Sequence, residues 1–178
     1  MRPMRSLMSV PHPYPEEEYA PWIRAAREKM ERREQFDMAI VLRETGLAIE
    51  AVRMESDLPL VAMMTFAQRG KTALGQEAVA GREACLAAGA DVVGVNCSGG
   101  AASVLEALKA MADGYAGPLA AEPSAGLPRW RNGKRRYDQG PALLARFALR
   151  YVRAGARLVG GCCGTTPAHI SALRRALL

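Results

Sequence analysis

Short, almost wholly apolar runs alternate along this chain with longer stretches whose apolar residues recur every three or four positions. The apolar runs, at residues 36–42, 60–65, 90–96, 118–122 and 156–160, read as buried strands. The three-to-four spacing predicts helices over 46–55, 76–88, 101–112, 141–154 and from Pro167 to the C-terminal end. A further helix is predicted over 16–34. Its first turn carries Glu16, Glu17 and Glu18, which complement the helix dipole, and Pro21 is tolerated there. Thr166 is a natural N-cap, followed by Pro167 at the first helical position. Strict strand–helix alternation with near-continuous apolar strands is the pattern of a parallel sheet covered by helices.

A weak internal repeat sharpens this reading. Ala88-Gly-Ala90, Val93 and Cys97 recur 66 residues later as Ala154-Gly-Ala156, Val159 and Cys163. That offset corresponds to two βα units of ordinary size, as a repeating (β/α) barrel requires. An open doubly wound sheet is the alternative, but no Gly-x-Gly-x-x-Gly run follows the first strand to support its dinucleotide-binding form.

Composition narrows the class. With 178 residues, 49% hydrophobic and 24% charged, the chain is long enough for one domain with a sizeable core. No apolar run approaches the roughly 20 residues of a membrane helix. Aromatic residues, at 6%, are too sparse for an extended nucleic-acid stacking platform. The net charge of +6 is not gathered into a tail. Residues 1–15 hold four prolines and no apolar secretion core, so they read as an extended leader to a domain over 16–178. Four cysteines without a secretion signal point to a reducing, cytoplasmic compartment.

In parallel α/β proteins, ligands bind where the strands end. Those ends carry Glu44-Thr45, Thr65-Phe66, Asn96-Cys97-Ser98, Glu122-Pro-Ser124 and Gly160-Gly-Cys-Cys-Gly164. Cys97, Cys162 and Cys163 therefore lie at the ends of two alternate strands, where three thiolates can converge on one Zn²⁺ and leave its fourth position open. Cys162 and Cys163 would point to opposite faces of a continuing strand, so both can bind one ion only if the backbone turns at the surrounding glycines. Packing alone would account for Cys97 and for Cys85, which falls mid-helix. An anion held by the backbone N–H groups of residues 160–165 is a further alternative, although the lysine of a phosphate loop is missing. His169, in the first turn of the last helix, reads as a surface or supporting residue rather than a ligand. His12 belongs to the leader. The basic run Arg129-Trp-Arg-Asn-Gly-Lys-Arg-Arg136 reads as a solvated excursion turning at Asn132-Gly133, with nucleic-acid contact disfavoured.

Gly94-Val-Asn-Cys97 followed by Gly160-Gly-Cys-Cys-Gly-Thr-Thr-Pro-Ala-His-Ile170 closely resembles the homocysteine S-methyltransferase family. That family includes betaine– and S-methylmethionine–homocysteine methyltransferases and the homocysteine module of cobalamin-dependent methionine synthase. Glu44-Thr45, Val61-Ala-Met-Met-Thr-Phe66 and Glu122-Pro-Ser-Ala-Gly-Leu-Pro128 extend the resemblance to about residues 36–178. It implies a (β/α)₈ TIM barrel with Cys97, Cys162 and Cys163 as zinc ligands. It implies homocysteine as methyl acceptor, with S-methylmethionine, betaine or a methyl-cobalamin/folate system as donor. Glu44 would hold the substrate amino group, with Thr45, Asn96 and Ser124 beside it. Ser124 stands where the family usually has Asn.

The implied reaction is attack on the methyl donor by a zinc-activated thiolate, giving methionine. An alkyl thiol is mostly protonated at neutral pH, and coordination to Zn²⁺ makes it a thiolate. Only the last five βα units of the barrel are recognisable, so the chain reads as an incomplete barrel. Self-association or a complementary barrel fragment is expected to cover its edges. The alternative function is a truncated, non-catalytic or partner-completed zinc-binding subunit of the same fold.

Overall fold

The structure, a computed structural model, describes residues 47–55, 57–66, 70–73, 75–132 and 134–178. The leader, the helix expected over 16–34, the strand expected over 36–42, and Glu44 and Thr45 lie outside the described residues. Two compact units are present. One takes residues 1–37 and 51–57; its described part is the second half of helix α1 (Leu47–Glu55) and Asp57. The other takes residues 38–50 and 58–178 and holds the sheet and every site considered below.

In this second unit β1 (Val61–Met64) leads to α2 (Ala78–Ala87), β2 (Val92–Cys97), α3 (Ala101–Met111) and β3 (Leu119–Pro123). A hairpin of β4 (Arg129–Arg131) and β5 (Lys134–Arg136) follows, then α4 (Pro141–Arg153), β6 (Ala156–Val159) and α5 (Pro167–Leu177). The four strands expected within the described residues all form, each within two residues of its expected ends. Those strands make one parallel sheet in the order β1-β2-β3-β6. Each new strand adds on the same side, with no reversal of order. A doubly wound sheet reverses at its switch point, whereas a barrel does not. The sheet is therefore an arc of a (β/α) barrel.

Burial explains why these strands read as unbroken apolar runs. Val93, Gly94, Val95 and Asn96 are buried in succession, so both faces of β2 are covered. Gly94 is required for packing: a Cβ there would collide with the Ala120 backbone and stand 2.7 Å from Met63 Sδ. Helices α3, α4 and α5 close one side through Ala101, Leu144, Ala148 and Leu173. Arg82 of α2 is buried, and its guanidinium reaches the end of α3, where it donates to the carbonyls of Met111 (2.7 Å) and Asp113 (2.6 Å) and lies over Tyr115.

The sequence repeat is a structural one. Both α2 and α4 stop at a glycine with left-handed backbone, Gly89 (φ 101°) and Gly155 (φ 99°), and the chain turns into β2 and β6. The basic run is the exposed excursion expected of it, turning at Asn132 (φ 51°), and its flanks pair as antiparallel strands. Strands of three residues, with five of the six cationic, leave no run of apolar alternation by which to recognise them. No helix among the described residues is long and apolar enough to cross a membrane.

Candidate metal centre

β2 and β6 flank β3 in the sheet, so their carboxyl ends are one strand apart. Cys97 is the last residue of β2, and Cys162 and Cys163 follow β6 by three and four residues. The three Sγ atoms converge: Cys97 to Cys162 is 2.8 Å, Cys97 to Cys163 is 3.7 Å and Cys162 to Cys163 is 3.9 Å. They form a group able to hold a metal ion. Cys85 is elsewhere, buried in α2 with its sulfur 3.9 Å from Met64 Sδ, as a small apolar residue would be.

Backbone geometry brings the sulfurs together. Residues 97–100 all have positive φ: Cys97 51°, Ser98 49°, Gly99 79° and Gly100 120°. Cys97 and Ser98 adopt this region without being glycine, at a local cost in energy of the kind that concentrates at functional sites. Ser98 holds the turn by donating its hydroxyl to the Asn96 carbonyl (2.7 Å) while accepting the Phe66 N–H (2.9 Å). The second cysteine loop is sewn to the end of β3. Gly160 N–H donates to Ala121, Cys162 N–H to Pro123, and Ala125 N–H to the Cys163 carbonyl. Thr165 closes the turn, its N–H and its hydroxyl both donating to the Cys162 carbonyl at 3.0 and 2.6 Å. This turn is the one the adjacent cysteines needed in order to face the same way. It also engages the N–H groups of Gly160, Cys162 and Thr165 with protein carbonyls, which weighs against an anion cradle over 160–165.

Tyr137 packs its ring directly on Gly164 (φ 79°), leaving no room for a Cβ. His169 is buried, not on the surface. Its Nδ1 accepts from the Thr166 N–H (3.1 Å) and hydroxyl (2.9 Å), so its Nε2–H donates to the Gln139 carbonyl (3.0 Å). Nδ1 thus caps α5, while Nε2 ties that helix to the segment before α4. Gln139 in turn accepts the Ala101 N–H at the start of α3 (2.9 Å) and donates its own N–H to Ala125.

The thiols are electrostatically uneven. Cys97 is pushed above the usual thiol range by its hydrogen bond to Cys162, by burial, and by the negative charge of Cys162 and Cys163. The same hydrogen bond lowers Cys162 to about 6, against the opposing effect of burial. One proton is held between the two sulfurs. Glu122 on β3, which the sequence places at a strand end without a role, is raised to about 6 by burial and then by the Cys162 charge. Its carboxylate lies against Gly160.

The donor set fits zinc. Ligands placed tetrahedrally at about 2.3 Å from one Zn²⁺ stand about 3.8 Å apart. Two of the three sulfur separations match this, and the third would widen by about 1 Å. Three soft thiolates leave one position open. Asn96 and Ser124 are buried near Cys97. Asn96 Oδ1 accepts from the Thr65 hydroxyl (2.9 Å), and the Ser124 hydroxyl is 3.0 Å from the Gly126 carbonyl and 3.3 Å from that of Cys97.

The model of the family described as homocysteine S-methyltransferase matches residues 24–177. Methionine synthase of Mycobacterium tuberculosis is 37% identical over 114 residues, 64% of this chain and 10% of that protein. Methionine synthase of Mycobacterium leprae is 35% identical over the same length and shares. The chain thus spans about a tenth of the length of these curated relatives. In fold it is similar to the homocysteine methyltransferase MmuM from Escherichia coli. The apo form superposes with a TM-score of 0.58 at 24% identity, over 93% of this chain and 60% of that one. The metallated form gives 0.56 at 23% identity, over 86% and 51%. With the family model matched across most of its length, the chain belongs to the homocysteine S-methyltransferase family.

Proposed function

We propose that this chain provides the thiol-activating part of a homocysteine S-methyltransferase, with Cys97, Cys162 and Cys163 holding one Zn²⁺ and homocysteine as the methyl acceptor. The convergence of three cysteine sulfurs from two alternate strand ends carries this reading. Bound zinc would supply deprotonation of a substrate thiol, since coordination lowers a thiol's pKa far below its free value. The chain's own residues have distinct tasks. Asn96 and Ser124 line the approach to Cys97, and Glu44 and Thr45 complete the substrate side, the carboxylate pairing with the substrate ammonium. Glu122 keeps a carboxyl group beside Cys162. The methyl group comes from a sulfonium, ammonium or cobalamin donor, and the reaction belongs in the cytoplasm.

A second reading, a partner-completed zinc-binding subunit, is favoured by β6. Arg157 and Leu158 are exposed, Leu158 at 45%, on a strand of a kind that is normally covered on both faces. Self-association or a complementary barrel segment would cover it.

Metal analysis of the chain, calorimetric binding of homocysteine to the zinc-loaded protein, and methionine formation from each donor class test these readings together. Zinc at one per chain with homocysteine binding supports the first. Zinc and homocysteine binding without turnover, restored by a second polypeptide, supports the second. Absence of zinc binding overturns both.

A further inference from the structure

The loop that leaves the carboxyl end of β3 rises from the same end of the sheet as the three cysteines and carries the β4–β5 hairpin. Register places Arg129 opposite Arg136 and Arg131 opposite Lys134. Residues directly opposite each other share a face, and those two apart on a strand share it too. One face of the hairpin therefore bears four cations, Arg129, Arg131, Lys134 and Arg136, while Trp130 falls on the other. Like charges placed directly across a ladder destabilise it. Asp138 is 3.4 Å from Arg129, and among the described residues Arg131 and Arg136 make no ion pair. Arg129, Arg131 and Arg136, with Tyr137 and Asp138, line an open surface cavity of about 580 Å³. That lies within the usual size of small-molecule sites, roughly 300–1,000 Å³. Tyr137 forms part of its wall and also packs on Gly164, next to Cys163, so the cavity adjoins the cysteine loop.

We propose that this arginine-lined cavity is a binding site for a small molecule carrying clustered carboxylate or phosphate groups. Through such groups it would hold the anionic end of the methyl donor beside the cysteine site. The donor assignment rests on the function proposed above; anion binding itself does not. Guanidinium groups suit this role because their planar forks accept carboxylate or phosphate oxygens two at a time. An anion seated between the opposed pairs would relieve their mutual repulsion, so the hairpin becomes more stable when occupied. A strand of nucleic acid fits less well. Trp130 is the one aromatic residue of the run and lies on the face away from the four cations, which leaves no row of stacking rings.

Calorimetric titration of the full chain at low ionic strength tests the site, with citrate and pyrophosphate as separate probes. Saturable binding of one molecule per chain is expected, weakened at least tenfold in Arg131→Gln/Arg136→Gln while zinc content stays unchanged. Tighter binding of citrate than of pyrophosphate assigns a carboxylate-bearing ligand, and the reverse assigns a phosphate-bearing one. No saturable binding of either probe, or equal binding by the double variant, overturns the site. So does a single-stranded oligonucleotide that binds more tightly than both probes and is lost in the double variant. Citrate or pyrophosphate binding in a chain without methyl transfer leaves the site standing while the donor assignment falls. Methyl transfer without anion binding removes the site alone.

Discussion

Cys97 Sγ lies 2.8 Å from Cys162 Sγ across 65 residues of sequence, at the ends of two strands separated by a third. Such closeness between distant thiols follows from the βα repeat, which returns the chain to the same end of the sheet every unit, and from two turns that redirect the side chains there.

If the three sulfurs are metal ligands, single alanine variants of Cys97, Cys162 and Cys163 each lose zinc affinity by more than the 10–100-fold typical of supporting residues around a metal. Cys85→Ala retains one zinc per chain. Affinity in the unsubstituted protein falls as pH decreases, because protons compete for the ligand thiolates. Equilibrium dialysis against a zinc chelator at several pH values measures all of this. Retention of zinc by Cys162→Ala/Cys163→Ala would remove the assignment.

Gly164 sits at φ 79° under the Tyr137 ring. Gly164→Ala should cost about 1–2 kcal/mol from the left-handed backbone alone, and more from the collision with the ring. Both disturb the turn that aims Cys162 and Cys163. Thermal melting and zinc titration should therefore decline together. Tyr137→Ala added to Gly164→Ala should recover the collision part and leave the backbone part.

Much of this arrangement is legible in the sequence. Strands such as β2, covered on both faces, announce themselves as continuous apolar runs, and the Ala-Gly-Ala repeated before β2 and β6 marks where a helix must stop. The cysteine triad follows once strand ends are taken as the binding edge. What escapes is whatever depends on through-space partners. His169 looks like a helix-start residue of no consequence until the Gln139 carbonyl is found 3.0 Å from its ring. Glu122 has a strand-end address, but its altered acidity arises from its burial in the folded chain and then from the charge of Cys162, forty residues away. The hairpin is hidden because five of its six strand residues are cationic, and register, not apolar patterning, makes its pairing visible.

Arg82 joins three elements: it stands on α2, donates to two carbonyls at the end of α3, and lies 5.1 Å from the centroid of Tyr115. Its Nε has no hydrogen-bond partner among the described residues, a cost already present in the native protein. Arg82→Met keeps the apolar stem but orphans both carbonyls. Hydrogen bonds to charged groups contribute about 1.5–3 kcal/mol each, so denaturant unfolding should show a loss of about that size or more, with zinc content unaltered. A variant as stable as the original would mean that water replaces the guanidinium at no cost.

Tyr151 supplies a pH-dependent test of the core. Its ring is fully buried, and its hydroxyl donates to the Ala101 carbonyl at 2.8 Å, joining α4 to the first turn of α3. Burial, opposed only by the nearby Arg150 charge, raises its pKa well above the ordinary phenol value of 10.0. An acid whose folded pKa is raised favours the folded state fully while it is protonated in both states. That advantage is lost as pH climbs from the unfolded value towards the folded one. Tyr151 therefore contributes its full share below about pH 10 and progressively less above it, as the unfolded chain ionises and the folded chain resists. Tyr151→Phe removes this dependence along with one buried hydrogen bond worth about 1 kcal/mol. Denaturant midpoints should show Tyr151→Phe less stable at neutral pH, with the gap to the original protein narrowing as pH rises past about 10. A constant gap across that range would mean that the hydroxyl ionises equally easily in both states.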